Sequence, residues 1–448
     1  MILFKNKKVV VMGLGLHGGG VGVAKFFCQQ RAKVLVTDLK TKNQLKESVQ
    51  KLKGLPIKYV LGKHRKEDFI QADLIIKNPD VANDSLYIKI ARENNIPVET
   101  DINLFFELSD TYIIGITGTK GKSTIATLIY KFLKSKYPKT ILAGNIGISP
   151  LELLPKIRKG AKVVLELSSF ELEDLKKSPQ MAVITNIFTD HLNRYKSLKD
   201  YIEAKKAIFK YQKKNDILVL NYDDPIVRRF FSSVSSQVYF FSKSKKKDIF
   251  LKKENIYFKG KSVCSIKNFK LYGEHNLSNL LAAVSAAKLL KVPSRNIEKV
   301  IKSFRTVPYR QEFIGEKKGV KYFNDTTATI PQAVKEAVKT MRKRFPKSQI
   351  ILIAGGQDKK LDFNVLSEKP NYLILLPGTA SKKIKEKMKV RTFIVDSMRA
   401  AVQKASKISQ KGDIVLLSPG AASFNLFKNE FDRGEQFNKI VKSLKNDN

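Results

Sequence analysis

The sequence predicts an α/β protein of three domains: a Rossmann-like N-terminal domain, a central P-loop ATPase-type domain with a parallel sheet, and a Rossmann-like C-terminal domain. Short apolar runs alternate with segments of helical period along the 448-residue chain. Glycine-rich turns follow two of these runs, at residues 13–18 and 115–124. A strand that leads into a glycine turn and then a helix is typical of a nucleotide-binding βαβ unit. At about 150 residues per domain, the length suits three domains.

The apolar runs form three series along the chain. The runs that read as buried strands are residues 8–12, 34–37, 57–61 and 74–76, then 113–117, 163–167, 182–185 and 217–220, and finally 350–353, 372–376, 393–395 and 414–417. Runs of four to six apolar residues between helical periods are typical of strands in an α/β sheet. Helices are expected after Ser123, around residues 199–211 and in the Ala-rich stretch 276–290.

The series set the expected domain boundaries near residues 108 and 305. The N-terminal domain is then residues 1–108, the central domain 109–305 and the C-terminal domain 306–448. Residues 232–247 are rich in Ser and Lys, and we predict that they form an irregular segment.

The net charge of +43 is the most unusual bulk property, and on its own it favours an anionic partner such as nucleic acid. The lysines are scattered through almost every block of ten residues, which instead favours solvated surfaces. Basic stripes interleaved with aromatic residues, which would stack bases, are not evident. We therefore expect no specific nucleic-acid partner and keep a nucleic-acid binder as an alternative, which strongly salt-dependent binding would reveal.

The cysteines and the N-terminus indicate the cellular compartment. Only Cys28 and Cys264 occur, with neither metal nor disulfide spacing, so we expect reduced, inert thiols and no zinc site. Residues 1–8 lead straight into a strand-like run without a signal-peptide pattern, and no apolar run approaches the ~18 residues of a membrane span. The prediction is a cytoplasmic protein without membrane insertion.

The segment 112–124 predicts a triphosphate site. An apolar run breaks into a Gly/Thr/Lys loop that ends on Gly121, Lys122 and Ser123. Glycines let the backbone amides face the phosphates, and Lys122 supplies a point charge. Ser123 begins a helix, and its hydroxyl is expected to lie near a magnesium ion. The general P-loop pattern has a glycine five residues before Gly121, where this chain has Ile116.

The first glycine loop, residues 13–18, fits the dinucleotide fingerprint, with Asp38 at the end of the next strand. The pattern indicates that a phosphate or diphosphate approaches a helix N-terminus, and it does not name the nucleotide. Because a second phosphate loop lies in the next domain, we favour a nucleotide-sugar diphosphate over NAD. A nicotinamide oxidoreductase remains the alternative, and His17 is expected to be a loop residue.

Two further strands end on polar residues at the same edge of the central sheet. Glu166 lies near the end of the run 163–167, and a carboxylate beside a phosphate loop is a natural magnesium ligand. The segment 185–191 ends on His191, one of four histidines, which on its own is more often structural than a ligand.

Several motifs together resemble one known family. They are residues 115–124, Gly144-Asn-Ile-Gly147, Leu165-Glu-Leu-Ser-Ser-Phe170, Thr189-Asp-His191, Ala204-Lys205, Gly273-Glu-His-Asn276 and Asn324-Asp325. Their order and spacing resemble those of the Mur ligases, ATP-dependent enzymes that form amide bonds in peptidoglycan synthesis, over essentially the whole chain. Folylpolyglutamate synthetases share the ATP loop but resemble the chain only from about residue 112 onward.

The resemblance implies a reaction. The N-terminal glycine loop and the ending 416–429, with Arg433 and Gly434, are most similar to those Mur ligases that add D-glutamate to UDP-N-acetylmuramoyl-L-alanine. In this family a carboxylate of the acceptor attacks the γ-phosphate of ATP, and the amine of an amino acid then displaces phosphate from the acyl phosphate. A ligase for a different amino acid is the alternative.

The resemblance also implies roles in the central domain. Lys122, Glu166, His191 and Lys205 are the implied catalytic residues. Ser123 and Glu166 would hold one of two magnesium ions, and His191 the second, bridged by a carbamate on Lys205, with Lys206 as the less favoured position. The implied ATP-binding residues are Gly118, Thr119, Lys120, Gly121, Lys122, Ser123, Thr124, Asn276, Asn279, Arg310 and Asp325.

Substrate positions and partners follow from the same resemblance. The acceptor would contact Gly15, Gly18, Asp38, Asn78 and Asn145, and D-glutamate would contact Thr329, Lys359, Ser423 and Phe424. The expected partners are the three small-molecule substrates, and the expected state is a monomer.

Three positions depart from the family pattern in the part that binds the amino acid: Tyr309, Thr327 and Glu430. Glu430 would repel a glutamate side chain if it faced the pocket, and Phe431 is the aromatic that could take its place after a one-residue shift.

Overall fold

The computed structural model describes residues 3–192, 194–271, 273–423 and 426–444. Three sheets follow one another along the chain, and helices pack on them, as an α/β fold requires. The fold class predicted from the sequence is confirmed.

The N-terminal sheet is entirely parallel. Its elements are β1 (Lys8–Met12), α1 (Gly19–Gln29), β2 (Lys33–Asp38), α2 (Lys46–Gln50), β3 (Ile57–Leu61), α3 (Lys66–Ile70), β4 (Leu74–Lys77), α4 (Leu86–Glu93), β5 (Val98–Glu99) and α5 (Asp101–Leu108). The strand order is β3-β2-β1-β4-β5. Strand order reverses between β1 and β4, and a crevice for ligands forms at such a point. The glycine loop that follows β1 lies there.

The central sheet has nine strands. The elements are β6 (Tyr112–Thr117), α6 (Lys122–Lys134), β7 (Ile141–Gly144), α7 (Pro150–Leu153), β8 (Lys162–Glu166), α8 (Ser169–Leu172), β9 (Met181–Ile184), α9 (Leu198–Lys210), β10 (Ile217–Asn221), β11 (Gln237–Ser242), β12 (Ile249–Lys252), β13 (Asn255–Phe258), β14 (Lys261–Ser265), α10 (Glu274–Leu289) and α11 (Ser294–Ser303), with 3-10 turns at Leu154–Lys156 and Val227–Ser233. The order is β14-β13-β12-β11-β10-β9-β6-β8-β7. Among the described strand pairs of this sheet, only β12–β13 and β13–β14 are antiparallel.

One expectation about this sheet is wrong. Residues 232–247 were expected to be irregular, but β11 lies within them and pairs in parallel with β10. The strand carries Val, Tyr and two Phe residues in succession, which favour an extended, half-buried backbone. The Ser and Lys residues on both sides hid this short run.

The C-terminal sheet has six strands. The elements are β15 (Glu312–Lys317), β16 (Val320–Asn324), α12 (Pro331–Arg344), β17 (Ile350–Gly355), β18 (Tyr372–Leu376), α13 (Thr379–Met388), β19 (Arg391–Ile394), α14 (Met398–Ile408), β20 (Ile414–Leu417) and α15 (Glu430–Ser443), with a 3-10 turn at Phe363–Val365. The order is β15-β16-β20-β17-β18-β19, and only β15 is antiparallel.

Packing fixes the N-terminal sheet against the central one. Phe27 of α1 and Phe105 of α5 belong to the same hydrophobic cluster as Leu151 of α7 and Leu165 of β8. Because buried side chains interdigitate at close to crystal density, this shared core holds the two glycine loops at a fixed separation. On the opposite face of the central sheet, α10 packs against α6 through a run of alanines.

A close backbone approach at Gly18 joins these two parts of the chain. Gly18 has φ +92°, and a Cβ there would lie 2.7 Å from the carbonyl oxygen of Gly147. Gly54 has a similar φ of +84° but open space around it. Both glycines therefore have a backbone conformation that strains other residues, but only Gly18 also leaves no space for a side chain.

We expect Gly18→Ala to destabilise the protein by about 1–3 kcal/mol more than Gly54→Ala, because both carry the strain of positive φ but only the first forces two loops apart. Thermal unfolding of the two variants against the unmodified protein measures the difference. Equal losses would show that the Gly18–Gly147 approach does not constrain the fold.

Candidate active site

All three sheets contribute loops to one cleft of about 1560 Å³. This volume exceeds the ~300–1,000 Å³ of a typical single-ligand pocket. Most of the predicted site residues line it: Gly15, Gly18, Asn78, Thr119, Lys120, Gly121, Lys122, Ser123, Thr124, Asn145, Glu166, His191, Lys205, Asn276, Asn279, Arg310, Asp325, Thr329, Lys359 and Ser423. Gly118 and Asp38 lie behind the lining, and Phe424 lies outside the described residues.

The P-loop takes its shape from two glycines that tolerate no side chain. Gly118 has φ +144°, and a Cβ there would lie 1.9 Å from Thr185 Oγ1. Gly121 has φ +90°, and its Cβ would lie 2.3 Å from Asn279 Oδ1. The loop is thus pressed against two neighbouring segments, and α6 begins directly after Gly121, so that its first amides face the cleft.

Two lysines converge on one carbonyl oxygen of this loop. Lys122 Nζ donates to the Gly118 oxygen at 3.0 Å, and Lys205 Nζ donates to the same oxygen at 3.1 Å. Burial lowers the pKa of Lys122, and burial together with the nearby Lys122 charge brings the pKa of Lys205 well below its ordinary value. Lys205 is only 1% exposed, so its amine has a strong tendency to be neutral. The adjacent Lys206 is paired with Glu203 at 2.8 Å near the surface.

Glu166 presents a buried carboxylate oxygen at the end of β8. Its Oε1 accepts from Asn145 Nδ2 at 3.3 Å, whereas Oε2 has no hydrogen-bond partner among the residues that the structure describes. A buried anionic oxygen without a partner is costly. Across the loop, Arg310 Nη2 donates to Ser123 Oγ at 2.7 Å, so a cation from the C-terminal part of the chain already lies beside the predicted metal-binding hydroxyl.

His191 is held neutral at the opposite side of the loop. It has φ +57°, its ring contacts Phe170, and burial, supported by the charges of Lys359, Lys120 and Lys122 and opposed by Asp190, lowers its pKa to about 3. A neutral imidazole is the form that binds metals.

The donors fit magnesium only if ligands from outside the protein complete the set. Among residues 3–192, 194–271, 273–423 and 426–444, no group of three or more His, Cys, Asp or Glu side chains is close enough to hold a metal ion. Magnesium usually takes one or two carboxylates together with phosphate oxygens and waters. The unpaired Glu166 oxygen, the Ser123 hydroxyl and neutral His191 suit that arrangement.

A charged network joins the P-loop to the C-terminal sheet. Lys359 Nζ donates to Asp190 Oδ1 at 2.7 Å, and Lys120 Nζ lies 4.0 Å from Asp190 Oδ2 and donates to Thr329 Oγ1 at 3.1 Å. Burial alone would raise the pKa of Asp190, but the two lysine charges outweigh it and the pKa is lowered. Two of the predicted amino-acid contacts, Thr329 and Lys359, thus bind central-domain groups in this structure.

The predicted adenine contacts and the Asp325 loop border the same cleft. Asn279 Nδ2 donates to Asn276 Oδ1 at 3.1 Å on the first turns of α10. Asp325 accepts from the Gln311 amide and from Ser418 Oγ, both at 3.2 Å, and burial raises its pKa to about 7. Asp325 therefore anchors the chain next to Arg310.

At the N-terminal glycine loop, Asp38 shapes the loop from behind. Its Oδ2 accepts from the Gly15 amide at 3.0 Å, and its Oδ1 accepts from the Lys40 amide at 2.8 Å. Asn78 Nδ2 donates to the Gly13 oxygen at 3.2 Å. Asn78 lines the cleft, whereas the Asp38 carboxylate is already used by the backbone.

Two of the three positions that depart from the family pattern contact each other, and the third lines the cleft. Thr327 Oγ1 donates to the Tyr309 oxygen at 2.9 Å, and the Tyr309 hydroxyl donates to Glu435 at 3.2 Å. Glu430 lines the cleft and lies close enough to Lys120, Arg310 and Arg433 to oppose the lowering of their pKa values. Its charge therefore faces several cations, which reduces the repulsion expected for an acidic substrate.

Sequence reasoning missed Asp190 and Arg433 as site-building residues. Asp190 stood inside the Thr-Asp-His segment, and Arg433 followed the C-terminal motif, but neither was given a role. Lys359 lies 169 residues from Asp190, and Thr326 lies 107 residues from Arg433, so no local pattern could reveal these two pairs. Contacts between the two ends of the chain were also missed: Lys428 Nζ lies 2.5 Å from Glu47 Oε1, and the Phe431 ring lies 6.0 Å from that of His17.

Family models match almost the whole chain. A "Mur ligase MurD-like, N-terminal domain" matches residues 7–100, a "Mur ligase middle domain" residues 116–287, and a "Mur ligase, glutamate ligase domain" residues 309–420. A UDP-N-acetylmuramoylalanine–D-glutamate ligase from Roseiflexus sp. (strain RS-1) is 39% identical over 466 residues, covering 98% of this chain and 99% of the relative. The chain belongs to the Mur ligase family.

Other relatives agree with this assignment. The enzyme of the same name from Borreliella afzelii (strain PKo) is also 39% identical, covering 98% of both chains. Among solved structures, the UDP-N-acetylmuramate-alanine ligase MurC of Thermotoga maritima superposes with a TM-score of 0.68 at 21% identity, covering 98% of this chain and all of that one. The MurF ligase of Thermotoga maritima in complex with ADP has a TM-score of 0.60 at 18% identity, covering 98% and 96%. These two show the three-domain Mur ligase fold.

In the described part of the chain, no helix is both long and apolar enough to cross a membrane.

Proposed function

We propose that this Mur ligase adds D-glutamate to UDP-N-acetylmuramoyl-L-alanine, with ATP converted to ADP and phosphate. The observation that carries the proposal is the single cleft in which the P-loop, the N-terminal glycine loop and the C-terminal loops with Thr329, Lys359 and Ser423 meet. A ligase must hold a triphosphate, a carboxylate and an amine together, because proximity accounts for much of its rate. The relatives with this printed activity match over their full length.

The first step would transfer the γ-phosphate. A carboxylate oxygen of the acceptor attacks the γ-phosphorus, the bond to the bridging oxygen breaks, and ADP leaves. Lys122 and the amides of α6 stabilise the charge on the phosphates. Arg310 donates to Ser123 Oγ and would stay close to the phosphoryl group during its transfer. Magnesium, when bound by Ser123, Glu166 and His191, would neutralise charge on the phosphates.

The second step would form the amide. The amino-acid nitrogen attacks the acyl carbon, the carbon–oxygen bond to phosphate breaks, and the nitrogen loses a proton. Thr329, Lys359 and Ser423 would hold the carboxylates of the amino acid, because a cation and hydroxyls suit an anionic ligand. Lys359 would exchange Asp190 for the substrate or bind both, since an ammonium has three donors.

The remaining expected sites belong to the same proposal. Asn145, Asn78, Gly15 and Gly18 would contact the acceptor, with Asp38 supporting the loop, and Asn276 and Asn279 would contact adenine, with Asp325 closing on the nucleotide beside Arg310. Domain boundaries near residues 108 and 305 fall between the three sheets, which supports them. The proposal includes a monomeric enzyme in the cytoplasm that acts on these small-molecule substrates and has no specific nucleic-acid partner.

Lys205 would carry a carbamate, which would supply anionic oxygen ligands to magnesium. Carbamylation requires a neutral amine that attacks carbon dioxide at carbon and then loses a proton, and the lowered pKa of Lys205 favours that form. The product is an anionic oxygen ligand in place of a cation. In the uncarbamylated structure, the amine instead binds the Gly118 oxygen.

The amino-acid specificity is tested by phosphate release with the acceptor, ATP and a panel of amino acids. D-Glutamate should be turned over 10- to 100-fold more efficiently than D-glutamine, because the neutral amide loses charged hydrogen bonds. Reactions without the acceptor are the control. Release with another amino acid in preference to D-glutamate would overturn the specificity, and no release with any of them would overturn the ligase proposal.

The carbamate is tested with Lys205→Ala, for which we expect turnover to fall on the order of 100-fold. Short carboxylic acids should restore part of the activity, because they can supply the missing oxygens. Lys206→Ala, one position along the same helix, is the matched control and should remain active. Normal turnover of Lys205→Ala without added acid would contradict the role.

A further inference from the structure

Arg433 is a buried cation whose partners are uncharged. It lies in the first turn of α15 and is 0% exposed. Its Nε donates to Thr326 Oγ1 at 3.0 Å, its Nη2 to the Thr326 oxygen at 2.8 Å, and its Nη1 to the Ala421 oxygen at 3.1 Å. Burial lowers its pKa to about 10, an effect that Glu430 opposes, so the group stays charged at neutral pH. Burial of an arginine carries a large desolvation cost. Here the buried guanidinium makes hydrogen bonds to two loops.

The two loops carry residues of the proposed amino-acid site. Thr326 lies in the segment between β16 and α12, which also holds Thr329. Ala421 lies in the segment after β20, which also holds Ser423. The Gly420 amide donates to the Ala328 oxygen at 2.8 Å, so that the two segments run side by side.

A third loop is tied to the second. Gln357 and Ala422 exchange backbone hydrogen bonds at 2.9 and 3.0 Å, and Lys359 follows two residues later. The three positions proposed to hold the amino acid therefore lie on three loops that are hydrogen-bonded in series. Arg433 donates hydrogen bonds to the first two of these loops.

Gly434 explains how α15 comes close enough for this contact. A Cβ at Gly434 would lie 2.5 Å from Thr326 Cγ2 and 2.7 Å from the Tyr309 ring. Asn324 Nδ2 donates to the Gly434 oxygen at 2.9 Å and to Asn438 Oδ1 at 2.7 Å. The helix is thus pressed onto the loop at the residue that follows Arg433.

We propose that Arg433 is a positioning residue for the incoming amino acid, and that its guanidinium sets the separation between the loop of Thr329 and the loop of Ser423. The inference rests on the proposed function, because it assumes that these loops bind the amino acid. Only a planar fork with several donors spans both loops; a lysine keeps the charge but offers one nitrogen. Arg433 touches neither nucleotide nor acceptor in this account, so its effect is specific to the amino acid.

The test compares Arg433→Lys with Arg342→Lys. Arg342 is an exposed arginine of the same part of the chain that donates to one backbone oxygen, that of Lys369. For Arg433→Lys we expect the KM for D-glutamate to rise about tenfold, with the KM for ATP and for the acceptor changed less than about twofold. Arg342→Lys should leave all three constants unchanged.

A milder pair of variants covers the case in which Arg433→Lys does not fold. Thr326→Val removes the hydroxyl that accepts from Arg433 Nε but keeps the side-chain shape, and Thr326→Ser keeps the hydroxyl. We expect Thr326→Val to raise the KM for D-glutamate in the same direction and Thr326→Ser to restore it. Equal values for the two variants would overturn the proposal.

Hydrogen exchange provides a readout that does not depend on turnover. Amides in residues 325–330 and 418–423 should exchange faster in Arg433→Lys or Thr326→Val than in the unmodified protein, whereas those of β17 should not change. Unchanged exchange in both loops would overturn the proposal. A loss of activity that matches the unfolded fraction of the variant, with all KM values unchanged, would also overturn it. If the unmodified protein incorporates no amino acid, the proposed function fails, and the exchange experiment still decides whether Arg433 couples the loops.

Discussion

The balance of buried charge around the P-loop is the constraint on which the site depends. Lys122, Lys205 and Arg310 converge on Gly118 and Ser123, and burial lowers the pKa of all three. Glu166 and Asp190 are two of the carboxylates whose charges oppose the lowering of the Lys122 pKa. Cations crowded into a site of low polarity stabilise an anionic ligand strongly, because the protein has already borne the cost of desolvation. The same crowding favours the neutral amine of Lys205, which is the form that the proposed carbamylation requires.

The fold supplies that charge balance from separate elements. Glu166 ends β8, the P-loop follows β6, His191 follows β9, and the N-terminal glycine loop follows β1, so that strand ends in two sheets point at one cleft. The third sheet adds Arg310 and Lys359 through hydrogen bonds to Ser123 and Asp190. Because these bonds cross between sheets, any opening of the cleft would leave their charged groups without these partners.

The sequence predicted those features of the fold and the site that depend on residues close together in the chain. Buried strands were visible as apolar runs, and Gly121, Lys122 and Ser123 were visible as a strand–turn–helix junction, because both depend on neighbours within a few residues. The strand β11 was hidden by its Ser and Lys flanks. The Asp190–Lys359 pair and the Arg433–Thr326 hydrogen bonds were invisible because they join residues more than 100 positions apart. The family resemblance assigned Lys359 to the amino acid, and only the structure gives it an internal partner.

The proposed reaction requires the cleft to bring a carboxylate of the acceptor to the γ-phosphate of ATP. Oxygen-18 placed in both oxygens of the terminal carboxylate of UDP-N-acetylmuramoyl-L-alanine follows this step. We predict that one labelled oxygen appears in the released phosphate and the other in the new amide, because the acyl–oxygen bond breaks when the amine attacks. Release of unlabelled phosphate while amide is formed would show that the acceptor carboxylate does not attack ATP.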